Sequence, residues 1–157
     1  MTATDDKWSE QEAGIDCYLC PAGLSAHTGL KLVAHLSVSS LYVTKDQRFL
    51  GLSSLILTDH KTRLDALSEA AYIAFMEDLR RSTAAIRAAT HPDHMNVALL
   101  GNSCPHLHWS IVPRYRTDAR WGRPIWDDAN LKEMRSNPVM LTAAEYSDLS
   151  ENIRKHL

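Results

Sequence analysis

The stretch 101–115, "GNSCPHLHWSIVPRY", sets His106, His108 and Ser110 at every second position, with Leu107, Trp109 and Ile111 between them. On an extended strand successive side chains point to opposite faces, so the two imidazoles and the hydroxyl share one face. Leu107, Trp109 and Ile111 then anchor the other face in a core. Turn chemistry brackets the segment, with Gly101-Asn102 before it and Pro113 near its end. A polar strand face can simply meet solvent, but two imidazoles side by side offer metal ligands or a nucleophile near neutral pH.

Outward from this strand the pattern is strand-rich. "LSVSSLYV" (36–43) and "LSSLILT" (52–58) have the alternation and β-branched content of strands, joined by a hairpin-like link that contains Asp46 and ends at Gly51. From Ser68 to about Thr90 the period changes to that of a helix. Tyr72, Phe75, Met76, Leu79 and Ile86 fall on one side, with Glu77, Asp78, Arg80, Arg81 and Arg87 on the others. Pro92 stops this helix, and "MNVALLG" (95–101) reads as the strand before the histidine strand. Residues 116–140 are irregular; "TAAE" (142–145) has the spacing of a capping box and opens a final helix. Strands beside strands with one long helix between hairpins predict an α+β domain: an antiparallel sheet, one long helix and a C-terminal helix. Residues 1–16 read as a poorly ordered lead-in and 17–157 as a single domain.

The 157 residues suffice for one core. A formal net charge of -2 gives no general attraction to nucleic acid or to an anionic membrane. The start, "MTATDDKWSE", lacks the apolar run of a secretion signal, and no apolar stretch approaches the ~20 residues of a membrane helix. A cytoplasmic protein without nucleic-acid or membrane partners is expected.

Three cysteines argue against a disulfide framework. Cys17 and Cys20 form a Cys-x-x-Cys, which in a reducing compartment is a metal half-site or a redox pair. A redox pair would follow a strand and open a helix, whereas "CYLCPAGLSAHTG" reads as a loop, which favours metal. His27, His35, His91, His94 and His156 read mostly as solvated. His60 directly follows the strand at 52–58. Cys17, Cys20, His60 and His106 would together supply the four nitrogen and sulfur ligands of a closed, structural zinc site.

"LGNSCPHLHWSIVPRY" resembles the signature of the histidine triad (HIT) superfamily, His-φ-His-φ-His-φ-φ with φ apolar. The likeness is greatest to a bacterial group with a Gly-Asn turn, "PHLHW", a following Pro-Arg and a later Trp, and it spans roughly residues 17–126. It implies an antiparallel sheet with a long helix, a homodimer, and action on the α-phosphate of nucleoside phosphates. In zinc-bearing relatives the ligand positions match Cys17, Cys20, His60 and His106. The resemblance makes His108 the nucleophile, forming a covalent nucleotidyl-histidine intermediate, and matches Asn96, Asn102 and Ser103 to positions that hold phosphate or ribose. Asn102 reads equally as a turn residue after Gly101, and Asp46 is a candidate for the ribose hydroxyls.

Ser110 departs from the motif. It stands where hydrolases of the family carry a third histidine and the transferase and phosphorylase branches carry glutamine. Replacing a charge-assisted donor by a neutral hydroxyl weakens transition-state stabilisation by on the order of 2–3 kcal/mol. The resemblance thus implies a nucleotidyl hydrolase or transferase acting on phosphoanhydrides or phosphoramidates, of the dinucleoside polyphosphate type. Two alternatives are a transferase or phosphorylase passing the nucleotide to phosphate or a metabolite, and a non-catalytic nucleotide-binding protein.

Overall fold

The computed structural model describes residues 3–26, 29–118, 121–126, 132 and 136–157. Five strands form one antiparallel sheet: β1 (Leu30–His35), β2 (Ser39–Thr44), β3 (Ser53–Leu57), β4 (His94–Ala98) and β5 (His108–Arg114), in the order β1-β2-β3-β5-β4. The long helix α3 (Glu69–Thr90) joins β3 to β4, and α4 (Ala143–Lys155) closes the chain. This is the α+β architecture that the sequence predicts.

The two sheet faces differ in character. Leu41, Val43, Leu55, Leu107 and Ile111 turn toward the helices, where Phe75, Leu79 and Ile86 of α3 and Leu149 and Ile153 of α4 complete the main core. Trp109 packs on this side with its ring 6.1 Å from that of Phe75. The opposite face carries His108, Ser110 and Val112, so the alternation read from the sequence sorts the two faces as expected.

Helix ends are set by local chemistry. The Ser68 hydroxyl accepts from Ala71 N at the start of α3, and His91 ends it in the left-handed region (φ 49) just before Pro92. Thr142 and Glu145 form the reciprocal capping box at the start of α4.

Several elements differ from the sequence expectation. The lead-in contains a helix, α1 (Ala3–Glu12), and the loop after Cys20 winds into a short helix, α2 (Pro21–Ala26), with Pro21 at its favoured first position. The sequence does not signal β1, because a bulge between Leu32 and Ala34 breaks its two-residue period. Residues 36–38 lie in the β1–β2 turn rather than in a strand. Asp78 holds that turn: its carboxylate accepts from Ser37 N, Val38 N and Ser39 Oγ at 3.2, 3.0 and 2.7 Å. It is 1% exposed, not on a solvated helix side, because those donors replace its lost hydration. His27 lies outside the described residues.

Candidate active site and metal centre

Cys17, Cys20, His60 and His106 converge, with their four ligand atoms all within 4.8 Å of one another. The two cysteines come from the tight turn that enters α2, where Cys20 N donates to Cys17 O and Leu24 N to Cys20 O. Gly23 makes that turn possible, since a Cβ there would stand 2.5 Å from the Cys17 carbonyl oxygen and from Tyr18 Cα. Gly14 (φ 81) brings the end of the lead-in against the His60 ring.

The geometry fits a tetrahedral ion. Bonds of about 2.0–2.1 Å to nitrogen and about 2.3 Å to sulfur imply nitrogen–nitrogen edges of about 3.3 Å and nitrogen–sulfur edges of about 3.5 Å. His60 Nδ1 and His106 Nδ1 are 3.3 Å apart. Cys17 Sγ lies 3.4 Å from His106 Nδ1, and Cys20 Sγ lies 3.3 and 3.6 Å from His60 Nδ1 and His106 Nδ1. Each imidazole is oriented by a backbone carbonyl: His106 Nε2–H donates to Leu57 O at 2.7 Å and His60 Nε2–H to Glu12 O at 3.1 Å. Both rings therefore present a bare Nδ1 to the sulfurs, which is the tautomer a metal requires.

Burial sets the electrostatics. It lowers the His106 pKa, an effect opposed by the contact to Leu57 O, and pushes the Cys20 thiol up to about 11 with Cys17 adding to the shift. A cation among them reverses the second effect by favouring thiolate. Cys104, which the sequence leaves without a role, lies fully buried with Sγ 3.7 Å from Cys17 Sγ, within reach to support it. Its thiol is likewise raised to about 11 by burial.

His106 lies just before β5, and its own backbone continues toward the second centre. His108 Nδ1–H donates to the His106 carbonyl oxygen at 2.7 Å. Nε2 of His108 is thereby left as the bare nitrogen, and it has no partner among the described residues. His108 and Ser110 line a cavity of about 260 Å³ whose walls include Tyr18, Leu30, Ile125 and Trp126. A second cavity of about 320 Å³, between β1–β2 and α4, is lined by Lys31, Lys45, Tyr146 and Ser147 and by no histidine.

The other sequence candidates are placed less uniformly. Asn96 of β4 pairs with Val112, so it faces the same side as His108, and its amide oxygen accepts from Arg114 at 3.0 Å. No local sequence pattern marks Arg114. Its guanidinium is buried, bonds Asp118 at 2.8 Å and the Arg123 carbonyl at 2.9 Å, and stacks over Phe49. It thus ties down the loop that delivers Ile125 and Trp126 to the cavity wall. Asn102 and Ser103 are exposed in the turn before His106. Asp46 accepts from Arg48 N and Val139 N through Oδ1 and does not line the His108 cavity; its Oδ2 is buried without a hydrogen bond.

Neither a family model nor a curated protein matches the sequence. Solved structures do. A histidine triad protein from Bradyrhizobium japonicum superposes with a TM-score of 0.71 at 25% identity, covering 83% of this chain and 95% of that one. The chain has the histidine triad fold. A hypothetical histidine triad nucleotide-binding protein from Sulfolobus tokodaii is similar over 89% of this chain and 91% of that one, with TM-score 0.64 and 17% identity. A zinc-bound histidine triad family protein from Mycobacterium smegmatis matches over the same shares of the chains, with TM-score 0.59 and 18% identity. Within this histidine triad fold the cysteine–histidine cluster and the His108 cavity sit at the two ends of the short segment His106–His108.

Proposed function

We propose that this histidine triad protein transfers a nucleotidyl group from the α-phosphate of a nucleoside phosphate derivative, through a covalent intermediate on His108, to water or another acceptor. The observation that carries the proposal is the 2.7 Å bond from His108 Nδ1–H to the His106 carbonyl, which leaves Nε2 bare in a cavity of about 260 Å³. A neutral imidazole nitrogen attacks phosphorus near pH 7, and the P–N bond formed is labile enough to release the nucleotide.

Asn102 and Ser103, in the turn beside His106, are proposed to hold phosphate oxygens, and Asn96 to use the amide donors that Arg114 leaves free. Asp46 would reach a ribose hydroxyl only through Oδ2. Cys17, Cys20, His60 and His106 would hold a structural zinc, which would tie the lead-in side of the chain to β3 and β5. Residues 17–157 act as one domain, with the lead-in contributing the Glu12 carbonyl. A homodimer is proposed through β4, an edge strand with Val97 exposed on it and Leu100 exposed just after it. No helix among the described residues is long and apolar enough to cross a membrane. A cytoplasmic location, with neither nucleic acid nor membrane as partner, follows as the working proposal.

The test is a screen of nucleoside polyphosphates and dinucleoside polyphosphates with and without inorganic phosphate. The proposal expects nucleoside monophosphate from at least one of them, or a nucleoside diphosphate if phosphate is the acceptor. Nucleotide binding without turnover would support a non-catalytic protein instead.

A further inference from the structure

Of the three cysteines, Cys104 alone stands outside the four-residue ligand cluster, and it is 0% exposed. A buried cysteine can serve as a small apolar side chain, and Cys104 does pack with Cys17, Leu19 and Ile56. Its sulfur also has polar partners that a valine would leave unpaired: the His106 N–H and the Tyr18 hydroxyl both donate to it. These donors hold the sulfur 3.7 Å from Cys17 Sγ and leave its S–H to point there. Cys20 is directed elsewhere, with Sγ 3.3 and 3.6 Å from His60 Nδ1 and His106 Nδ1. A cavity of about 520 Å³ is lined by Cys17 and Cys20, with Gly14, Asp16 and Gly23 in its wall, and gives a small oxidant a way to Cys17.

We infer that Cys17 and Cys104 are a thiol–disulfide pair, closed by a peroxide that enters this cavity, and that closure takes Cys17 out of the ligand cluster. The disulfide stands on the cysteine geometry alone, whereas the release of a metal rests on the zinc reading above. In the first step the Cys17 sulfur bonds to one peroxide oxygen and the O–O bond breaks. The hydroxide set free takes the thiol proton and leaves as water. The Cys104 sulfur then bonds to the Cys17 sulfur, the S–O bond breaks, and the departing hydroxide takes the Cys104 proton as a second water. Two sulfurs are oxidised and one peroxide is reduced to two waters. Closing the 3.7 Å gap to the about 2.05 Å of a disulfide draws Cys17 Sγ toward Cys104, and a disulfide sulfur has no thiolate charge to offer a cation. The bond joins positions 87 apart in the chain, so it restrains the unfolded chain and lets the oxidised protein keep its fold without metal.

The test treats the zinc-loaded chain with equimolar hydrogen peroxide at neutral pH and then alkylates the remaining thiols. Peptide mass analysis maps the disulfides, and a colorimetric chelator reads released zinc. The expected result is a bond between Cys17 and Cys104 with Cys20 alkylated, zinc released in step with it, and an unchanged circular dichroism spectrum. A thiol reductant should reopen the bond and restore zinc binding. Cys104→Ala and Cys104→Val should each release zinc at least about tenfold more slowly at the same dose, because the resolving thiol is gone. Variants that release zinc as fast as the wild type would overturn the link to the ligand cluster. A Cys17–Cys20 bond with Cys104 free, oxygen added to Cys17 or Cys20 without a bond to Cys104, or three unmodified thiols would overturn the inference. A Cys17–Cys104 bond in a chain that takes up no zinc would support the pair and overturn the zinc reading alone.

Discussion

His106 and His108 are coupled through the backbone: the ring of His106 offers Nδ1 to the cysteine sulfurs, and its carbonyl oxygen takes the Nδ1 proton of His108 at 2.7 Å. One residue thus belongs to the cysteine–histidine cluster and fixes which nitrogen of the neighbouring imidazole is free. Displacing the His106 backbone would blur the tautomer of His108 even if no cavity residue changed.

The protein is expected to hold about one zinc per chain. Cys17→Ser should lower its thermal stability more than its nucleotide affinity, because a structural zinc contributes folding free energy and none of the four residues lines the His108 cavity. Elemental analysis and a melting curve check this. A metal-free preparation that melts at the same temperature as the zinc-loaded one would contradict it.

The depressed pKa of His106 fixes the sign of a pH effect in chelated protein. Burial keeps the folded ring neutral, while the unfolded chain binds a proton below about pH 6.5. The stability contribution is therefore complete above that value and is lost as the pH falls through it toward the lower folded value. The group can supply a slope of at most about 1.4 kcal/mol per pH unit. Denaturation at pH 7.5 and 5.5, compared with His106→Asn, should show a fall on acidification that is smaller in the variant. An equal or larger fall in the variant would rule out this role.

Arg114 and Asp118 form a buried pair with side chains 4% and 9% exposed. Arg114→Met leaves the Asp118 carboxylate without its cation and should cost about 3–5 kcal/mol in denaturant unfolding. Arg114→Met combined with Asp118→Leu should recover part of that loss. Because Arg114 also holds the loop that carries Trp126, substrate KM should rise in both variants. A loss below about 1 kcal/mol in the single variant would show that the pair does not hold the loop.

What the sequence makes legible is local. The alternation of 106–111 sorts the faces of the sheet, the 3.6-residue period marks α3, and the Thr142–Glu145 spacing marks the start of α4. Cys17, Cys20, His60 and His106, which the sequence offers as a candidate ligand set, have their ligand atoms within 4.8 Å of one another. What stayed hidden depends on distant partners. Asp78 is polar among exposed-looking helix positions, and only the β1–β2 turn, about 40 residues away in the chain, explains its burial. β1 is obscured by its bulge. The positions of Ser54 opposite Ser110 and of Arg114 beneath the 115–124 loop come from strand register and loop return, which no local pattern encodes. His106 precedes β5, and the pairing there passes through Leu107, whose N–H donates to Lys61 O and whose carbonyl accepts from Leu57 N.

The covalent role of His108 is tested most directly by rapid quenching of the protein with diadenosine tetraphosphate, followed by mass analysis of its peptides. The account predicts one adenylyl group on the peptide that holds His108, in wild-type protein only. His108→Ala should keep its fold, its zinc and its nucleotide binding, and lose turnover by at least about 10³-fold. An adduct on another residue, or a His108→Ala protein that turns over at the wild-type rate, would contradict it.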